Sequence, residues 1–186
     1  MLRTFLTWAC VLIMASLLAA CCGSVGCECN DRYADAVGLR FSADTLPGSS
    51  LRGFKAADIR TVYLVRVPND TAQRPKADTV AFTSTRAQQL RDTLVINNLT
   101  PFTRSGNRNL NEYRYEVYLA PARSGPVRFR YRIDRVALQT SLRADGCCTC
   151  YQNTNKLVYV NGSPTPLNLT DPAGNNQLVP LVVVRP

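Results

Sequence analysis

Six of the eight cysteines fall in two groups of three: Cys22, Cys27 and Cys29 near the start, and Cys147, Cys148 and Cys150 near the end. A disulfide wants its Cα atoms about 4.4–6.8 Å apart, so Cys147 and Cys148 do not easily bridge each other, and a Cys27–Cys29 bridge would be strained. The relaxed solution joins one group to the other. Any fold that permits this must carry the chain back on itself across most of its length. Six cysteines allow 15 connectivities, and the sequence does not choose among those that join the two groups. One cross-bridge closes a loop of about 120 residues, worth about 4–5 kcal/mol in the chain-entropy view. Such bridges persist only in an oxidising compartment, and the N-terminus bears on whether the chain reaches one.

Arg3 precedes an apolar run from Phe5 to Ala20, 16 residues long. That is shorter than the roughly 20 residues that span a bilayer. A basic start, an apolar segment and small residues ahead of a cut are the parts of an export signal. An uncleaved anchor and a lipid-free secreted protein are the other readings of the same residues. The row Leu18-Ala19-Ala20-Cys21 resembles the lipobox of the signal-peptidase-II lipoproteins. The resemblance implies cleavage before Cys21 and lipidation of its thiol and amine. A single acyl chain holds a protein only marginally at a membrane, and stable anchoring takes two or more; lipoproteins of that class carry two or three. This resemblance covers residues 1–21. The lipobox, the cysteines behind it, a β-rich body and the late Cys147-Cys148-Thr149-Cys150 segment also look like small uncharacterised envelope lipoproteins of the Bacteroidota. That similarity implies an outer-membrane address and brings no catalytic motif. In that group an acidic stretch after the lipidated cysteine goes with surface export. The segment Cys22-Gly-Ser-Val-Gly-Cys-Glu28 lacks one, which favours the periplasmic face.

Behind the signal, strand-length apolar runs recur between clusters of Pro, Gly, Asn and Asp, and no long 3.6-residue period appears. Strands are expected over 37–41, 59–67 (ended by Pro68), 79–83, 93–97, 112–119, 127–142, 156–160 and 178–184, with a helical turn or bulged strand at 86–91. Asn161-Gly162 reads as a hairpin turn. About eight strands with regular turn signals predict an all-β chain: a single antiparallel β-sandwich (immunoglobulin-like or transthyretin-like) or a partly open barrel. The domain plan is a removed signal over 1–20, a Cys-rich membrane-proximal tether over 21–36 and the sandwich over 37–186.

The runs 112–119 and 127–134 alternate most cleanly. Tyr113, Tyr115, Val117 and Leu119 would share the core face with Val127, Phe129, Tyr131 and Ile133. A register in which facing residue numbers sum to 248 sets Glu116 against Arg132 and Arg114 against Asp134. The neighbouring register opposes like charges, which is unfavourable. Arg128 and Arg130 find no acidic partner in this register and stand as the candidate anion contacts. The Asn-x-Ser/Thr triplets at Asn69, Asn98, Asn161 and Asn168 read as turn residues.

Composition narrows the function classes. Losing Arg3 from 22 basic residues, against 13 acidic ones, leaves the cleaved chain of 166 residues at +8. All but Lys55, Lys76 and Lys156 of those cations are arginines, whose planar fork suits phosphates and carboxylates. In an envelope this points to anionic lipid or glycan, alongside an unidentified protein partner, and away from nucleic acid. The end of the body near the membrane is expected to touch anionic headgroups as well. The chain has no histidine, which removes the commonest general base and metal ligand. Glu28, Glu112 and Glu116 are the only glutamates, and no phosphate-binding glycine loop is present. No catalytic residue, metal or cofactor is expected. The leading expectation is a non-catalytic, membrane-anchored lipoprotein that binds or scaffolds an envelope component. The alternatives are a glycan- or lipid-acting hydrolase that uses carboxylates, and a cysteine-cluster metal or redox module.

Overall fold

Alternating apolar and polar residues favour strands that bury one face, and the chain folds on that pattern. The computed structural model describes residues 8, 26, 27, 29, 31–43, 53–55, 57–70, 77–83, 92–102 and 109–185. Cys21, Cys22 and the expected turn at 86–91 lie outside them. Nine strands appear: β1 Ala36–Phe41, β2 Thr61–Pro68, β3 Asp78–Thr83, β4 Leu94–Asn97, β5 Tyr113–Leu119, β6 Phe129–Asp145, β7 Cys148–Val160, β8 Leu167–Asn168 and β9 Pro180–Val183. A six-stranded sheet runs β3-β2-β5-β6-β7-β8, and a three-stranded sheet runs β4-β1-β9.

The inner faces of both sheets enclose one core. Val37, Leu39 and Phe41 of β1, Ile96 of β4 and Leu181 and Val183 of β9 meet Val62, Leu64, Tyr115, Val117, Ile133 and Val158 of the larger sheet. Phe54, from the connection after β1, packs edge-on against both Phe41 and Phe129 and closes one end. The all-β sandwich expectation of about eight strands holds, with nine among the described residues. One pairing departs from it: β1 pairs β9 in parallel, so the smaller sheet is mixed rather than antiparallel.

The expected register of the central pair is observed: Tyr115 faces Ile133, Glu116 faces Arg132 and Leu119 faces Phe129. Tyr131 is buried and Phe129 packs on the core. Val127 does not, because β6 starts only at Phe129 and leaves it exposed. Asn161 and Gly162 both adopt positive φ, at 51° and 74°, as a primed turn requires. The returning strand is only the two residues of β8, after a wider loop than a tight hairpin would leave.

The late hairpin is longer than its apolar residues suggested. β6 runs 17 residues and β7 runs 13, and they pair from Ile133–Val160 out to Asp145–Cys148. Gly146, with φ 58°, opens the two-residue turn, as the first position of a type II′ turn favours. The hairpin's outer half reaches past the core as an arm on which Leu142, Arg143 and Ala144 are exposed.

Candidate functional site

The two cysteine groups meet on this arm. Cys27 bridges Cys148 and Cys29 bridges Cys150, with Cα atoms 5.7 and 5.2 Å apart. Both distances lie inside the range that a disulfide tolerates. Cys147 is disulfide-bonded too. Each of the two bridges spans 121 positions, so the segment at 27–29 advances two residues for every two of β7, in the same direction. This parallel order sets a heading. Moving from Cys29 back to Cys27 leads toward the Gly146 turn.

Between the arm and β1 the lead-in is clasped by buried polar groups. Asp31–Tyr33 forms a 3-10 turn, Ala34 is fully buried, and the Asp35 carboxylate accepts the Tyr151 hydroxyl at 3.0 Å and the Asn153 amide at 2.9 Å. The same amide donates to the carbonyl of Ala34. Lys156, only 4 % exposed, donates its ammonium to the carbonyls of Tyr33 at 3.1 Å and Ala36 at 2.9 Å. Burial brings its pKa down to about 8, against the pull of Asp35 and Asp171 in the other direction. Burial also raises the Tyr151 hydroxyl, and Asp35 adds to the rise by its hydrogen bond and its charge. Asn176, at positive φ, ties the carbonyls of Cys29 and Tyr151 together. Its loop is shaped by Asp171, which accepts backbone N–H groups of Ala173, Asn175 and Gln177. Burial opposes ionisation of Asp171, yet those three bonds hold its pKa below the usual carboxylate value. The expected tether over 21–36 is thus packed on the body from Asp31 onward. Backbone carbonyls are the main partners here, which is why no side-chain motif announced the clasp.

A second feature lies on the outer face of the larger sheet. Val67, Arg114, Tyr115, Glu116, Arg132, Ile133 and Asp134 line a groove of about 340 Å³. Glu116 faces Arg132 in the ladder, but its ion pair is diagonal, with Arg130 at 3.1 Å. Arg132 turns along its own strand to Asp134 at 3.7 Å. The β5–β6 ladder ends at Tyr115–Ile133, one position short of Arg114 and Asp134, and both of these reach the groove. Asp134 also accepts the backbone N–H of Gly162 at 2.6 Å. Arg130 therefore has an acidic partner, contrary to expectation, because a diagonal neighbour lies within reach of a long side chain. Arg128 is exposed in the β5–β6 loop, with its backbone N–H on Leu119.

Asn168 acts as a turn residue, accepting the backbone N–H of Thr170, while Asn98 reaches across to accept the backbone N–H of Leu110, twelve residues on. Among the described residues no group of three or more cysteine and carboxylate side chains is placed to hold a metal ion. The cysteines of the two bridges offer no thiolate to one. No family model matches the chain, no curated protein matches it, and no solved structure matches it.

Proposed function

We propose that the chain is a non-catalytic envelope lipoprotein: a β-sandwich anchored through Cys21 that binds or scaffolds an envelope component. The observation that carries this reading is the parallel staple of Cys27 and Cys29 onto β7. It fits an oxidising compartment, and its direction supports a reading in which Cys21 stands off the arm's tip. From Cys21 to Cys27 the chain reaches at most roughly 20 Å at about 3.3–3.6 Å per residue. A lipid on Cys21 would therefore hold the body close to the bilayer rather than on a long stalk.

Binding is preferred to catalysis because of how the carboxylates are used. Glu116 and Asp134 both line the groove, where a hydrolase would seek its pair. Each is engaged with an arginine across or along the sheet, an arrangement that orders a sheet face. Lys156 is spent on two backbone carbonyls in the interior. Cys21→Ser, expressed in a bacterium with lipoprotein processing, tests the anchor. The parent should mature to a lipidated mass and partition into detergent. The variant should stay unprocessed or become soluble. Equal detergent partitioning and equal mature mass in the two would refute the anchor.

A further inference from the structure

We infer that the end of the sandwich farthest from the staple is a basic cap that binds acidic glycan. The inference deepens the envelope-binding reading by naming the partner's chemistry. It starts from β6, which runs the length of the molecule: 17 residues from Phe129 at one end to Asp145 at the arm's tip. At about 3.3 Å per residue this strut separates its ends by roughly 50 Å.

The topology collects cations at the Phe129 end. The start of β2 lies beside the end of β5, since Val62 faces Leu119, and this brings Arg60 there. Phe54 touches Phe129 and brings Lys55. Arg185, just past β9, lies over the Phe54 ring and pairs with Asp58 at 2.8 Å. The β5–β6 loop contributes Arg123 and Arg128, and Arg130 follows at the start of β6. Six cations thus gather at this end; of these, Arg185 pairs with Asp58 and Arg130 with Glu116. Lys55, Arg123 and Arg128 are exposed and take no part in an ion pair among the described residues. The staple end differs: Asp31, Asp35 and Asp171 stand beside Arg32, Arg143 and the buried Lys156. Among the described residues, exposed cations are therefore more numerous at the end away from the staple.

An arginine-rich, exposed surface suits a flexible polymer of carboxylates. Guanidinium forks grip carboxylate bidentately, and separate cations can each take a different residue of one chain. In the loop Pro121–Arg128, Val127 is the one large exposed hydrophobic side chain.

The test uses the full chain in phosphatidylcholine vesicles, with fluorescent polygalacturonate as the probe and neutral dextran as the blank. The parent should bind polygalacturonate in a manner that weakens steeply with salt. Arg123→Glu/Arg128→Glu should bind about tenfold or more weakly. Arg32→Glu/Arg143→Glu carries the same charge change at the other end and should stay within about twofold. Equal losses in the two variants would reduce the effect to net charge and overturn the cap. So would the absence of binding above dextran, or bridging of added phosphatidylglycerol vesicles with no capture of the polymer. If the chain fails to float with the vesicles, the anchor reading falls by itself, and the same titration on the soluble chain still decides the cap.

Discussion

Lys156 is the residue whose setting departs farthest from what its type suggests. A lysine ahead of Leu157-Val158-Tyr159-Val160 reads as the polar start of a strand, yet its ammonium is buried on the carbonyls of Tyr33 and Ala36. With the folded pKa near 8 and the ordinary value 10.5, the unfolded chain holds the proton more tightly. Stability should therefore rise between about pH 8 and 10 as the folded protein sheds this proton. Above that range the buried hydroxyls of Tyr131, pushed up to about 12, and Tyr151, also raised, work in the opposite sense, because the unfolded chain ionises first. Lys156→Met should cost about 1–3 kcal/mol by stranding two carbonyls and should abolish the alkaline rise. Urea unfolding across pH 7–10 measures both. A rise that survives the substitution would assign it to another group. Arg66 is a similar case, held between the rings of Phe102 and Tyr113 with Asp78 at 3.4 Å. Both residues are buried through partners distant in the chain, which no local pattern reveals.

Among the elements, the arm is held by other means than the body strands. Thr140, Ser141, Gln152 and Thr154 are polar, so its ladder gains little from burial. Its support comes from the ladder itself, from the bridges and from the clasp. The two bridges also hold the residues at 27 and 29 against β7. Two bridges two residues apart are redundant in entropy. The first closes the long loop, and the second closes almost nothing further. Removing one pair with Cys27→Ser/Cys148→Ser should cost under about 1 kcal/mol, whereas full reduction should cost about 5 kcal/mol. Urea midpoints with and without reductant read the difference. A cost shared equally between the pairs would show that the bridges act through local packing instead. The strand expected at 156–160 covers only the end of β7 for the same physical reason: residues 148–155 are polar and cysteine-rich, and nothing apolar marks them as strand.

For the molecule as a whole, the parallel staple and the long β6 give the body two distinguishable ends. Trp8 is the only tryptophan in the sequence, so a chain cleaved before Cys21 should show tyrosine emission alone. In that background Leu142→Trp and Val127→Trp become single reporters at opposite ends, since both parent side chains are exposed. On vesicles containing brominated lipid, the tryptophan at position 142 should be quenched and that at position 127 should not. The reverse pattern would turn the molecule over and place the arginine-rich end on the membrane.

The relations legible in the residue order are local and periodic. Alternation in 112–119 and 129–133 sets which side chains face the core, and like-charge repulsion selects the register that sums to 248. The incompatibility of adjacent cysteines with mutual bridging makes bridges between the two groups the relaxed solution. Other relations exist only once the sheets have closed. Which cysteine takes which partner depends on the direction in which residues 27–29 pass β7. Whether Arg130 finds Glu116 depends on a diagonal across the sheet. Where the net charge gathers depends on which loops share an end. Each of these joins segments far apart in the chain, set by how two sheets close around one core, and a sequence pattern carries only the relations between neighbours.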